Sequence, residues 1–422
     1  MRIAVANFSR RLVGGVENYL AELIPALVRR GDEVAFFHET DRPVDRKLIP
    51  LPPSVVTWSV RELGAARAVN ALRRWHPDVV FDHGLLESSV EALVLQTAPS
   101  VFFAHSYYGA CISGLKTFRI PRVEPCQRKF GAACLLLYFP RRCGGLSPIS
   151  MLREYRRQSI RLGLLRLCDA VVTHSRHMRR QYVDCGFAPD RVHSFNYLIE
   201  TRTQLAGDQD SNGATSSPGD ERDGTCRILF LGRMDKLKGG LYLLRALDLV
   251  ASASSTSVHL TLAGSGPAQR TWERAARRLE EKHPRFRVDF PGWVTGATRE
   301  RILAETDLLV VPSLWPEPFG RIGPELGLKG IPAVAYDVGG ISEWLVDGVN
   351  GFLAPGNPPT PEGLAAALLR YLSSPSKKKE LSAGAVRLAM HFSIQSHLTA
   401  LDAVFEKAIT QRRCSEHAAA RR

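Results

Sequence analysis

Short, continuously apolar runs alternate with amphipathic stretches along the whole 422-residue chain, and the alternation happens twice. The first series runs RIAVAN (2–7), EVAFFH, SVVTW, DVVFDH, SVFFAH, CDAVVTHS (168–175) and RVHSFNYLI. The second starts at RILFLGR (227–233) and continues through VHLTLAG, FRVDFPG, DLLVVPS (307–313), IPAVAYD and the turn-bearing VDGVNGFLAP (346–355). Runs of this length, rich in β-branched and aromatic residues, read as strands covered on both faces. Between them lie helical stretches such as VENYLAELIPALVRRG (16–31), closed by Gly31. Strand–helix alternation builds a doubly wound parallel sheet, so two series predict two α/β domains of Rossmann-like type. A chain of this length has room for two cores of about 200 residues each.

The boundary is written in composition. Residues 203–224, TQLAGDQDSNGATSSPGDERDG, are polar and Gly/Ser-rich, which predicts a flexible linker or insertion between domains at 1–202 and 225–391. Asp208 and Asp210 form a D-x-D spacing there, but a metal motif needs a rigid strand end, and nothing in the segment supplies one. Residues 376–410 are helical by pattern, and 412–422 read as a disordered tail.

Hydrophobic residues at 45% and charged residues at 23% are ordinary for a globular protein in water. The start, MRIAVANFSRR, goes directly into a strand without the apolar core of a signal peptide. Residues 92–115 lack Asp, Glu, Lys and Arg, yet Gln96, Pro99 and His105 break them into helix, buried strand and loop rather than a membrane span. The expected location is the cytoplasm. Net charge is +14, and residues 116–191 hold 16 Lys plus Arg against 5 Asp plus Glu. The stripe MLREYRRQSIRLGLLRL (151–167) reads either as a solvated basic face over a core face or as an attachment to anionic lipid or a lipid diphosphate. Near a charged membrane each basic side chain contributes about 1 kcal/mol, which would hold the protein peripherally at the inner membrane face. A nucleic-acid binder would interleave stacking aromatics with these basic residues; the region has Tyr and Phe but no RNA motif, and such a reading leaves Glu317 and Glu325 without a role, so no nucleic acid is expected.

Glu317 and Glu325 sit in WPEPFGRIGPELGLKGIPAVAYDVGG, read as loop, helix (321–330) and strand (332–337) after the strand 307–313. Ligands of parallel sheets bind where strands end and helices begin. A helix start receives phosphate through its N–H groups, and carboxylates accept from sugar hydroxyls. The combination suits a nucleotide-sugar. Arg233 and Lys238 follow the first strand of the second series, a planar fork and a mobile point charge suited to two phosphates.

The E-x7-E spacing, with Gly339, Gly340 and Glu343 after the next strand, resembles the retaining family 4 glycosyltransferases of GT-B fold. The likeness extends to GGVEN (14–18), His105, GRMDKLKGG (232–240), LAGSGP (262–267) and PGWV (291–294), in order, over roughly residues 1–372. The resemblance implies two Rossmann-like domains facing across a cleft, with a last helix (392–411) crossing back onto the N-terminal domain. It implies metal-independent transfer, with retention, from a nucleotide-sugar held by the second domain, and no further cofactor. The acceptor, a glycan, lipid-linked or small molecule of polysaccharide or glycolipid biosynthesis, falls to the first domain. Carried over residue by residue, Arg233 and Lys238 become the diphosphate clamp, Glu317 takes the sugar hydroxyls and Glu325 those of the ribose. Backbone N–H groups of Phe319, Gly320, Arg321 and Ile322 line sugar and diphosphate. Gly264, Ser265, Gly266 and Pro267, a strand end and helix start, surround the base with Trp293 and Val294, core packing being the alternative for Trp293. Gly14 and Gly15 face the donor from the first domain, and His105 orients the sugar. Other enzymes of similar fold remain alternatives, a nucleotide-sugar epimerase or a phosphorylase; an epimerase needs no acceptor. Cys111, Cys126, Cys134 and Cys143 read as reduced thiols or as zinc ligands, although no tight C-x2-C pair is present.

Overall fold

A computed structural model describes residues 1–195 and 224–420; Asp208, Asp210 and nearly all of the expected linker lie outside the described residues. The strands in chain order are β1 (Arg2–Ser9), β2 (Glu33–Thr40), β3 (Val56–Ser59), β4 (Val79–Asp82), β5 (Ser100–Ala104), β6 (Thr117–Phe118), β7 (Glu124–Pro125), β8 (Ala170–Thr173) and β9 (Val192–Ser194). They continue as β10 (Thr225–Leu231), β11 (Ser257–Ala263), β12 (Phe286–Gly292), β13 (Leu308–Val311), β14 (Ala333–Tyr336) and β15 (Gly351–Ala354). Every apolar run identified above overlaps one of them.

The chain divides into two compact units. The first comprises Met1–Leu115, Gln127–Glu200 and Ser393–Arg422, and the second Lys116–Cys126 and Thr201–Phe392. The small β6–β7 hairpin therefore groups with the second unit although it falls early in the chain. The first unit holds a seven-stranded sheet, β3-β2-β1-β4-β5-β8-β9, and the second a six-stranded sheet, β12-β11-β10-β13-β14-β15. Every pairing within the two sheets is parallel. In each sheet the first strand lies between the second and the fourth, so the winding reverses there and a crevice opens at the strands' carboxyl ends. Both sheets are buried on both faces, with Phe36, Phe37, Phe81, Phe102 and Phe103 inaccessible in the first. This explains why the strands read as unbroken apolar runs rather than alternating ones.

The last helix, Ile394–Ala420, belongs to the first unit. His397 Nε2 and Tyr19 Oη lie 2.6 Å apart, Arg30 Nη1 bonds Asp402 at 2.6 Å, and the rings of Phe81 and Phe405 meet edge-on at 5.2 Å. Residues 412–420, expected as a disordered tail, are helical: once a helix is nucleated, each added residue costs little, and Ala418, Ala419 and Ala420 have the highest helix propensity. The helix expected at 321–330 is shorter, Ile322–Gly327, because Gly323, Pro324 and Gly327 are poor helix formers. Among the described residues no helix is long and apolar enough to cross a membrane.

Candidate active site

The carboxyl ends of the second sheet's central strands carry a cluster of polar side chains. β10 and β13 are neighbours with Leu229 opposite Leu309, so the loops that follow them start side by side. From the first loop comes Lys238, in a short 3₁₀ turn Lys236–Lys238 capped by Asp235, whose Oδ1 accepts from the Leu237 and Lys238 N–H groups. From the second comes Glu317. Lys238 Nζ donates to Glu317 Oε1 at 2.6 Å, and the same oxygen accepts from Ser313 Oγ at 2.6 Å and Trp315 Nε1 at 2.9 Å. Glu317 is 5% exposed, and Oε2 takes no part in these bonds. A buried carboxylate is tolerable only when it is paired and hydrogen-bonded, and three donors meet that requirement here.

Glycines fix the backbone around it. Gly340 N–H donates to the Glu317 carbonyl at 2.7 Å. At Gly339, in the left-handed region at φ 64°, a Cβ would stand 2.3 Å from the same oxygen. The Gly-Gly pair thus grips the Glu317 main chain, a role its sequence position alone does not reveal. Gly264 and Gly266 interlock similarly: a Cβ at Gly264 would fall 1.9 Å from the Gly232 carbonyl oxygen, and one at Gly266 2.3 Å from that of Met234. Met234 N–H reaches the Ser265 carbonyl at 2.8 Å, and Gly264 N–H reaches Gly292 at 2.7 Å. Three loop rims are therefore joined backbone to backbone. Pro267 precedes rather than opens the next helix, which starts at Gln269.

The other expected residues separate. Arg233 follows β10 but is exposed, with only an ion pair to Asp235 at 3.7 Å. Glu325 forms a charged hydrogen bond with Arg299, from the helix Gly296–Ala304, a partner the sequence reading missed. Trp293 is 73% exposed, which excludes core packing, whereas Val294 is buried and can offer a ligand only its backbone. Phe319 is also buried, its carbonyl accepting from Trp344 Nε1 at 2.7 Å. Gly320 at φ 84° leaves room for Ile341 and Trp344. Arg321 caps the short helix that Ile322 begins.

In the first unit Gly14 and Gly15 form the start of the helix Gly15–Arg30. Glu17 folds back to accept from the Gly14 N–H at 2.8 Å and from Asn7 Nδ2 at 3.2 Å, and no atom lies within 4 Å of a Cβ placed at Gly15. His105 follows β5 and is held on both sides: its Nε2 lies 2.8 Å from His83 Nδ1 and its Nδ1 3.0 Å from His174 Nε2. A neutral imidazole has one N–H, so the three rings form a one-directional chain in which His105 donates to one neighbour and accepts from the other. Burial, reinforced by His397, lowers the His105 pKa to about 3, and burial also pushes His83 and His174 well below the usual histidine value. His105 is thus a neutral group with both nitrogens engaged. One signal could have revealed it: DVVFDH, SVFFAH and CDAVVTH each end a strand in histidine, and β4, β5 and β8 are consecutive in the sheet. Among the described residues, which include the four cysteines considered as zinc ligands, no group of three or more His, Cys, Asp or Glu could hold a metal.

Two family models match, one described as Glycosyltransferase Family 4 over residues 13–196 and one as Glycosyl transferases group 1 over residues 225–374. An uncharacterized glycosyltransferase of Methanocaldococcus jannaschii is 34% identical over 146 residues, which is 35% of this chain and 35% of that protein. A D-inositol 3-phosphate glycosyltransferase of Acidothermus cellulolyticus is 26% identical over 95% of this chain and 87% of its own length. Among solved structures, the Anabaena protein HepE in complex with UDP and glucose superposes with a TM-score of 0.63 at 19% identity, covering 95% of this chain and 99% of that one. This likeness carries the fold, two Rossmann-like domains of the GT-B type.

Proposed function

The chain belongs to the group 1, family 4 glycosyltransferases, and from that premise we propose that it moves a sugar from a nucleoside-diphosphate sugar to a glycan, lipid-linked or small-molecule acceptor with retention at the anomeric carbon. The observation that carries the reading is the Lys238–Glu317 pair at the carboxyl ends of β10 and β13. As the donor's glycosidic bond breaks, negative charge grows on the diphosphate, and an ammonium already in place stabilises that charge without reorganising. Arg233, exposed and held only by its ion pair to Asp235, swings to the same diphosphate. Glu317 Oε2 accepts from a sugar hydroxyl, and Glu325, oriented by Arg299, from the ribose. His105 meets the sugar by exchanging one imidazole partner for a hydroxyl. The acceptor oxygen bonds to the anomeric carbon on the face the phosphate leaves, and the acceptor's proton passes to the departing phosphate oxygen. The cations serve in place of a metal, no cofactor beyond the donor is required, and the work is done in the cytoplasm.

HepE was solved with UDP and with UDP-glucose, which makes uridine the first base to try. Calorimetry with UDP-, GDP- and ADP-sugars is expected to find one that binds, and the anomeric signal of the product is expected to match the donor's. Failure of all three to bind would refute the assignment. Turnover of donor alone into an epimer would instead favour the epimerase. Turnover is expected to persist in excess EDTA; its loss, restored by a divalent ion, would remove the metal-free proposal. Gly339→Ala is expected to lower kcat about 100-fold, because a Cβ against the Glu317 carbonyl must move that carboxylate by roughly 1 Å. Wild-type kcat in this variant would mean that Glu317 does not depend on the glycine pair.

A further inference from the structure

The helix Pro148–Leu165 departs from the amphipathic rule: polar side chains share its buried face with Leu164 and Leu165. Its inward face carries Gln158 and Arg161: Arg161 pairs with Glu91 and donates to the Leu85 carbonyl at 2.6 Å, and Gln158 Oε1 accepts from the Gly109 N–H at 2.7 Å. Its outward face mixes apolar side chains with basic ones. Ile149 is 79% exposed and Leu152 57%, with Ile160 exposed further along the same side, and Leu146 just ahead of the helix is 66% exposed. On the neighbouring short helix Ala133–Leu137, Leu136 is 78% exposed. A helix that merely covered a core would bury these residues and expose the polar ones. The reading of this stripe as a solvated face over a core face accounts for the buried Leu164 and Leu165 and the exposed arginines, but not for the exposed Ile149, Leu152 and Ile160.

The occupant of the face is indicated by charge. Arg153, Arg156 and Arg157 are exposed beside Ile149 and Leu152, and Glu154 is the only acidic residue of the helix. We propose that this face seats on an anionic lipid surface, with the isoleucines and leucines entering the headgroup–acyl boundary and the arginines pairing with lipid phosphates. A second copy of the chain fits less well: a two-fold interface on this patch would bring Arg153 and Arg156 against their own equivalents. The proposal does not depend on the donor assignment and stands or falls separately from it.

The test is flotation of the full chain with vesicles of pure phosphatidylcholine and with vesicles containing about 30 mol % phosphatidylglycerol. Binding is expected only to the anionic vesicles, weakening as salt rises. Ile149→Ser and Leu152→Ser are each expected to lower the partition coefficient about tenfold, and Arg153→Gln or Arg156→Gln about fivefold. All four positions face solvent, so the thermal midpoint is expected to stay at the wild-type value. No flotation at low ionic strength would overturn the proposal. So would flotation unchanged by the serine variants, or a dimer in solution that those variants disperse.

Discussion

Lys238→Met is expected to reduce kcat by two to three orders of magnitude and to destabilise the second unit by about 3 kcal/mol. Both effects come from one atom. The ammonium is the charged partner of a carboxylate that is 5% exposed, and breaking such a pair leaves a charge in low dielectric, at a cost of roughly 3–5 kcal/mol. Ser313 and Trp315 still donate to Glu317, which places the expectation at the low end of that range. Loss of one preorganised donor to developing charge typically costs about 100- to 1,000-fold in turnover. The two effects are separable by the double variant Lys238→Met with Glu317→Gln. Removing both charges should return most of the stability and none of the turnover. Chemical denaturation and initial rates measured on the same preparations would decide it; a single variant with near-normal kcat would mean that Lys238 does not touch the leaving group.

Acidification is expected to unfold the first unit steeply. His83, His105 and His174 are neutral inside it with pKa values held below the unfolded value of about 6.5 by burial. Between that value and the folded pKa the unfolded chain binds more protons, so stability is lost as pH falls, at up to about 1.4 kcal/mol per pH unit for each ring. Three rings give about 4 kcal/mol per unit. Two buried carboxyls oppose them: burial beside Asp82 pushes Glu91 up to about 9, and burial raises Asp82 as well, so these two favour the folded state as pH drops toward about 4.5. The Glu91 contribution ends below its ordinary value of 4.5 and that of Asp82 below 3.8, after which the histidine slope acts alone, down to about pH 3. His105→Gln should flatten that slope by about one third. The reporter is hydrogen exchange in β5, since a chain of two units has no single unfolding transition. An unaltered slope in the variant would show that the ring is already protonated in the folded state.

The strands were legible because each is apolar on both faces, and hydrophobic runs carry that information locally. The position of Lys238 and Glu317 in loops after β10 and β13 was legible too, because glycine-rich turns after apolar runs mark strand ends. What the sequence concealed is proximity. Ser313 and Trp315 as donors to Glu317 depend on how one loop curls back on itself, and Arg299 reaches Glu325 from a separate helix. The pairing of His105 with two other histidines required knowing that β4, β5 and β8 are adjacent, since residues 83, 105 and 174 are far apart along the chain. The outward apolar side of Pro148–Leu165 was concealed for a different reason: periodicity shows that a helix has two faces but not which one turns inward.

The stitched rims at Gly232–Met234, Gly264–Gly266 and Gly292 have a consequence for motion. Three strips of main chain that share carbonyls cannot flex one at a time. When a guest shifts any of them, the others must travel along, and relaxation-dispersion measurements would give all three a single exchange rate. Trp293, which stands 73% exposed beside the third strip, is the large side chain there that can still turn by itself.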